Sequence, residues 1–341
     1  METTDKYIPT PYQQFIYTSR YARWLENEGR REYWPETVER TVNFLFKGLE
    51  NKFKPEVIKK VKDHILHLKV LPSMRLLMTA GEAAERDNIC IYNCAYTPID
   101  NPKRLSEILH ILMNGTGMGF SVERQEIAKM PAVPDRLTPL KGSKFVIEDS
   151  KQGWAEAYHY LITSLFHGSI PNFDFSQIRP AGARLKTFGG RASGPQPLKN
   201  LFQFTISVFG QASKRASMSI DGLSRLTSIE LHDLVCKIAE IVVVGGVRRS
   251  ALISLSNLSD ARMREAKAGE WWNINAQRAL ANNSAVYEER PEVGQFMDEW
   301  NSLYKSKSGE RGIFNRQAAR VLCSRIGRDP KPSYGTNPCS R

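Results

Sequence analysis

The chain has little cysteine, little histidine and no long apolar run. Its five cysteines among 341 residues are Cys90, Cys94, Cys236, Cys323 and Cys339. The odd number and irregular spacing exclude the disulfide framework of a small secreted domain. Cys90 and Cys94 form a C-x3-C pair without a second pair or a histidine cluster, so neither a structural zinc site nor any other metal site is expected. His64 and His67, an i, i+3 pair, read as surface or half-buried side chains. No apolar stretch approaches the ~18 residues of a membrane span. The polar, acidic start Met1-Glu2-Thr3-Thr4-Asp5 is no signal peptide, so a cytoplasmic protein with no membrane partner is expected. A Walker loop, a G-x-G-x-x-G fingerprint, a nucleic-acid-binding signature and a repeat of about 20–50 residues are all absent.

What is present suits a large globular protein. Hydrophobic residues make up 41% of the chain and aromatic residues 10%, enough for a core. The length fits two domains or one large α/β unit. A formal net charge of +12 favours a polyanionic partner such as nucleotide phosphates or an acidic protein. Runs such as Lys59-Lys60-x-Lys62 also serve simply to solvate a helix face. Without a recognition motif, no direct nucleic-acid contact is expected.

Residues 12–71 read as helices. Val38, Val42, Leu45 and Phe46 follow a helical period after Trp34-Pro35, and Val57, Ile58, Val61, Ile65 and Leu68 form a second stripe. Asn88 to Tyr96 has strand length, and alternation places Cys90, Tyr92 and Cys94 on one face. Two packed small residues are the plain reading of those thiols; a cleft wall is the chemical one. A helix carrying Leu105, Ile108, Leu109 and Leu112 runs into Gly115-Thr116-Gly117-Met118-Gly119, whose alternate glycines let a backbone approach a ligand or another chain closely. Residues 129–151 read as a turn-rich loop. Gln152 to Phe166 reads as a helix led by Asp149-Ser150, and Ile170 to Phe175 as a short strand. The glycine-rich stretch from Arg179 to Pro195 is long for a compact domain, and such loops are usually functional. Its guanidinium and N–H groups suit a nucleotide. Leu226 to Val244 is a helix around a buried, inert Cys236, ended by Gly245-Gly246. Val247 to Ser254, Asn282 to Tyr287 and Gly312 to Asn315 read as strands, and Arg248 and Arg249 are expected to hold carboxylates or phosphate. Strands separated by helices make an α/β pattern. The chain closes on Gly335-Thr336-Asn337-Pro338-Cys339-Ser340-Arg341, either a frayed tail or a loop tip that presents a thiol.

These stretches, in this order, resemble the N-terminal half of an adenosylcobalamin-dependent (class II) ribonucleotide reductase of the monomeric triphosphate-reductase and phage type. The resemblance rests on Tyr92-Asn93-Cys94, Met113 to Val122, Arg179-Pro180-Ala181-Gly182, Phe188 to Pro195, Gly246-Val247-Arg248-Arg249-Ser250-Ala251, Asn282-Asn283-Ser284 and Gly335 to Cys339. Each motif is short, but their common order is specific. The implied fold is a helical N-terminal region at 1–87, then at 88–341 the first half of a ten-stranded α/β barrel of the ribonucleotide reductase/glycyl radical type, ending at a finger-loop cysteine. The five strands read above would build that half.

The resemblance also implies a site. Cys339 matches the radical cysteine, whose thiyl abstracts the 3′-hydrogen of a ribonucleotide. Cys94 matches the reducing cysteine that protonates the departing 2′-hydroxyl and ends in a disulfide, and Asn337 matches the residue that bonds a ribose hydroxyl. Substrate or effector contacts would involve Asn93, Gly117, Gly119, Arg179, Gly189, Gly190, Arg191 and Ser193, with Arg104 and Ser106 on the first effector helix. The implied cofactor is adenosylcobalamin. The implied partners are a ribonucleoside tri- or diphosphate, a deoxynucleotide or ATP effector and a thioredoxin-type dithiol.

The chain departs from the family pattern near its end. The family carries a glutamate base two residues after the radical cysteine, and here that position is Arg341. A guanidinium cannot accept a proton. The second redox cysteine, the second half-barrel and most cobalamin contacts are also missing, and Cys90 is no substitute partner for Cys94. Cys323 reads as structural. The expectation is an N-terminal part that is inactive until a C-terminal half completes it, in the cytoplasm or, for a phage protein, the host cytoplasm. Because the 129–151 loop is shorter than the insertion of the monomeric enzymes, a homodimer is a further expectation. The alternatives are a nucleotide-binding module without catalysis, and a class I large subunit that needs a radical-supplying protein partner.

Overall fold

The computed structural model describes residues 4–49, 51–183, 191–244 and 251–340. The chain divides into two compact units, Met1–Asn93 and Cys94–Arg341.

The first unit is helical, with helices at Pro11–Arg20, Trp34–Phe46 and Pro55–Leu66 and shorter ones after them. Thr10 and Gln13 form a capping box at the first helix, satisfying N–H groups that a helix start leaves open. Val38, Val42, Ile65, Leu77 and Trp34 make its core, and the Tyr17 ring meets Trp34 edge-on at 5.5 Å. Buried Glu32 accepts from Arg40 Nε at 2.7 Å and Nη2 at 2.8 Å. Arg40 also donates to the carbonyls of Leu77 and Ala80, both at 3.0 Å. Burial pushes the Glu32 carboxyl up, but Arg40 outweighs it and holds the group below the ordinary carboxylate range.

The second unit is an α/β structure. Its sheet has five strands, β1 (Cys94–Pro98), β2 (Gly117–Ser121), β3 (Leu252–Asn257), β4 (Ala281–Tyr287) and β5 (Gly312–Asn315). They lie in sequence order and every pair is parallel. Each connection therefore crosses back over the sheet, mostly as helix: α1 (Lys103–Met113) joins β1 to β2, and α2 (Lys151–Phe166), α3 (Gln196–Ser217) and α4 (Ser228–Val244) lie between β2 and β3. Helix α5 (Val293–Ser306) joins β4 to β5, and α6 (Arg316–Arg325) follows β5. Met118, Phe120 and Leu252 face these helices in one core with Leu105, Ile108, Leu109 and Leu112 of α1. The opposite sheet face carries Cys94 and Tyr96 beside Gly117 and Gly119, paired residue for residue.

Three strand readings need correction. Asn88–Ile91 is a 3-10 turn, and the strand begins only at Cys94. The Asp87 side chain accepts from Ile89 N at 3.1 Å, and such local bonds compete with sheet pairing. Cys90 therefore shares no strand face with Cys94 and is buried and free. Second, Ile170 to Phe175 is not a sheet strand. It splits into two-residue pairings of Ser169–Ile170 with Thr138–Pro139 and of Phe173–Asp174 with Phe145–Val146, interrupted at Pro171, which has no N–H to give. Its place in the sheet belongs to the glycine stretch Gly117–Ser121, in which all five residues are buried. Third, of the strand expected over Val247 to Ser254, the described part runs Leu252–Asn257 and so extends three residues further; Gly245 to Ser250, with Arg248 and Arg249, lie outside the described residues.

Behind the sheet, His232 of α4 is fully buried. Its Nδ1 lies 3.2 Å from Asp233 Oδ1 and its Nε2 2.9 Å from Asn283 Oδ1, so both ring nitrogens face acceptors. Burial opposes the charged ring, but the Cys236 sulfur and the Asp233 carboxylate prevail and push its pKa up to about 10. A raised folded pKa gives stability that is complete below the ordinary histidine pKa and is lost as pH rises toward about 10. In urea unfolding, His232→Gln is expected to be less stable than the unaltered chain at pH 6, with a gap that narrows by at least about 1 kcal/mol by pH 10, since one pKa unit is worth about 1.4 kcal/mol. A gap independent of pH would show that His232 is neutral in the fold.

Candidate active site

The residues that end the described chain lie along the glycine-cleared face of the sheet. Arg316 Nε donates to the Tyr334 carbonyl at 2.6 Å. Gly335 then packs against the Tyr96 ring, where a side chain would overlap it. The Thr336 carbonyl sits against Gly119 so closely that a methyl there would overlap it. A methyl on Gly117 would stand 3.4 Å from the Pro338 ring and 3.5 Å from Cys94 Sγ. At the tip, Asn337 Oδ1 accepts from Cys339 N at 3.0 Å and shapes the turn Pro338–Ser340. The segment thus runs opposite to the strands, from their C-terminal ends at Arg316 to their N-terminal ends at Cys94. The alternate glycines of β2 receive the chain's own backbone.

Cys94 and Cys339 meet there and are disulfide-bonded, with a Cα–Cα distance of 6.9 Å. Cys94 is half-buried and Cys339 exposed. The expected partner of Cys94 was a cysteine the chain does not contain; the structure joins it to Cys339 instead. Accessible thiols that can close and reopen a disulfide support exchange with an external dithiol. Cys236 and Cys323 are buried and free, as a structural role requires.

Sequence reasoning missed the group at the far end of the segment. Arg316 is fully buried and grips Glu123 with two hydrogen bonds, Nη1 to Oε1 at 2.9 Å and Nη2 to Oε2 at 2.6 Å. Nη1 also donates to Glu288. Ser121 Oγ donates to Glu123 at 2.8 Å. Burial pushes the Glu123 carboxyl up, but the Arg316 hydrogen bonds hold it below the carboxylate range. Burial, aided by the Glu123 charge, pushes the Tyr96 phenol up to about 12. The sequence signal for this group was weak: a charged residue one or two positions past each of three strands.

The remaining candidates make contacts of their own. Arg104 pairs with Asp100 and Glu107, each at 2.9 Å, and buried Ser106 donates to the Lys103 carbonyl at 2.8 Å. Arg179 pairs with Asp149 at 2.6 Å. Arg191 donates to the Gly182 carbonyl at 3.0 Å, and Gly182 N donates to the Ala192 carbonyl at 2.8 Å, so the two ends of this glycine-rich loop are tied together. Ser193 Oγ donates to its neighbour, the Gly194 carbonyl, at 3.5 Å. Gly189 and Gly190 lie outside the described residues. Asn93 is exposed at the end of the first unit.

Known proteins resemble this chain in sequence and fold. Residues 1–82 match a family model described as the ribonucleotide reductase alpha domain. Residues 128–208 match one described as the insertion domain of B12-dependent ribonucleotide reductase, so the 129–151 loop belongs to that insertion. The adenosylcobalamin-dependent ribonucleoside-triphosphate reductase of Euglena gracilis is 28% identical over 356 residues, which cover 96% of this chain and 46% of the relative. The enzyme of the same name from Lacticaseibacillus paracasei is 28% identical over 399 residues, covering 95% and 51%. A protein of Mycobacterium phage D29 is 27% identical over 80% of this chain and 44% of its own length. The chain spans about half the length of the curated relatives it matches. The crystal structure of a B12-dependent (class II) ribonucleotide reductase superposes with a TM-score of 0.77 at 24% identity, over 96% of this chain and 53% of that one. In sequence and in fold, the chain is similar to about half the length of adenosylcobalamin-dependent, class II ribonucleotide reductases.

Proposed function

We propose that this chain is the N-terminal part of a ribonucleoside-triphosphate reductase and holds both its radical cysteine, Cys339, and one of its reducing cysteines, Cys94. The observation that carries the reading is the meeting of these two sulfurs, 245 residues apart in sequence, on a sheet face cleared by glycine. A thioredoxin-type dithiol first reduces the Cys94–Cys339 bond, giving two electrons and two protons and leaving as its own disulfide. Cys339, then a free thiol at an exposed tip, becomes the thiyl that takes the 3′-hydrogen of the ribose. Cys94, on the adjoining strand, protonates the departing 2′-hydroxyl, which leaves as water, and the two electrons of the reduction come from Cys94 and a second reducing thiol outside this chain as they close a disulfide. Asn337, beside Cys339, bonds a ribose hydroxyl.

Adenosylcobalamin is named in the relatives, and the exposed Cys339 fits a cofactor that must reach the thiol; when bound, it supplies the radical chemistry that oxidises Cys339. The missing half has a place to dock. Among the described residues, strand β5 has a neighbour on one side only, and α5 has no buried residue, exposing Val293, Met297, Trp300 and Tyr304. Free edges and apolar faces of this kind call for a covering partner. The glycine-rich loop tied at Gly182 and Ala192 is the segment through which an effector nucleotide would report to the substrate base.

Mixing the chain with a C-terminal half-barrel is expected to give deoxynucleotide formation that requires adenosylcobalamin, a dithiol and a ribonucleoside triphosphate together. Cys339→Ala should abolish it without loss of nucleotide binding. Binding without turnover in the completed wild-type assembly would favour a module that has lost catalysis. A second prediction concerns the seat of the segment. Gly119→Ala should expel Thr336, lower stability in urea by about 1–3 kcal/mol as overpacking does, and abolish the Cys94–Cys339 disulfide in peptide maps. An intact disulfide in that variant would mean that the segment is seated elsewhere.

A further inference from the structure

The glycine clearance on β2 explains how the 334–339 segment fits, but not at which register. Gly117 and Gly119 are two residues apart, the repeat of an extended chain. Glycine alone would therefore accept the segment shifted by two residues, a slide of about 6.6 Å at strand rise. Such a slide would carry Cys339 away from Cys94. The packing of Gly335 on Tyr96 resists part of this motion without directional bonding.

A directional tie exists at the other end. Arg316 opens α6 directly after β5, and its side chain is wholly buried. Two N–H groups are spent on Glu123, two residues past β2, and another on Glu288, one residue past β4. That clamp immobilises the guanidinium against the ends of three strands. Its Nε, pointing away from both carboxylates, donates to the Tyr334 carbonyl at 2.6 Å. Tyr334 lies five residues before Cys339.

We infer that Arg316 is a positioning residue: it sets the depth to which the segment descends along the sheet and so decides whether Cys339 meets Cys94. Glu123 acts through it by holding the guanidinium plane. This role rests on the proposed reading only in giving Cys339 a reaction to perform; the register itself is a property of the chain alone. Lysine cannot replace the planar fork, because one ammonium cannot hold Glu123 in two bonds and also present a fixed donor to Tyr334.

The test is a thiol-pair equilibrium, which needs no turnover. In glutathione buffer, the two thiols plus oxidised glutathione give the Cys94–Cys339 disulfide plus two reduced glutathiones, and peptide mapping reads the constant. Arg316→Lys keeps a cation beside Glu123 and should remain folded by circular dichroism. Its constant should fall about tenfold, the size of one charge-assisted hydrogen bond. Glu288→Gln, at a half-exposed partner, should stay within about twofold on the same scale. A folded Arg316→Lys chain with an unchanged constant would overturn the assignment, as would an equal fall in Glu288→Gln. If Arg316→Lys does not fold, Glu123→Gln decides, with the same tenfold fall expected and an unchanged constant counting against it. Absence of turnover in the completed wild-type enzyme, with these constants as expected, would sink the functional reading and leave this one standing.

Discussion

The second unit depends on a buried ion pair. The side chains of Arg316 and Glu123 are 0% and 1% exposed. Such a pair costs desolvation on both sides, and removing one partner strands the other at a cost of about 3–5 kcal/mol. Its value lies in geometry more than in energy. Glu123 follows β2, Glu288 follows β4 and Arg316 follows β5, so the guanidinium gathers the ends of three strands whose order along the sheet is otherwise set only by pairing. The Nε of that guanidinium reaches the segment that carries Cys339.

A second buried arginine braces the other end of β5. Arg311 donates to Ser256 Oγ and to the carbonyls of Asn257 and Leu258, each at 3.0 Å. It also pairs with Glu299 of α5, which Arg264 shares. Strand β5 is thus held at both ends by charge although it pairs on one side only. An edge strand with exposed Ile313 gains little from packing, so polar anchoring compensates. The two sheet faces divide the remaining work. Met118, Phe120 and Leu252 bury against helices, while Gly117 and Gly119 leave the other face open to backbone.

Much of this was legible in residue order. The periodic apolar positions of α1 and of Trp34–Phe46, the Ser150 cap of α2 and the burial of Cys236 follow from local patterns that tertiary contacts reinforce. The strands at β4 and β5 were read to within a residue. The errors have local and non-local causes. Asp87 spends its side chain on a local turn, Pro171 interrupts a run of strand formers, and Gly117–Ser121 has the composition of a loop. Strand formation at Gly117–Ser121 is decided by neighbours on both sides, which a local reading cannot weigh.

The sequence by itself determined the α/β class and the resemblance to class II reductases, because short motifs in a fixed order carry that information, and it singled out Cys94 and Cys339 as candidates. Only the tertiary structure decided that the two sulfurs meet, that the alternate glycines receive the chain's own backbone, and that Arg316 and Glu123 anchor it. Those are contacts between residues about 190 to 250 positions apart. No local periodicity encodes them; they exist because five parallel strands bring distant chain ends onto one face.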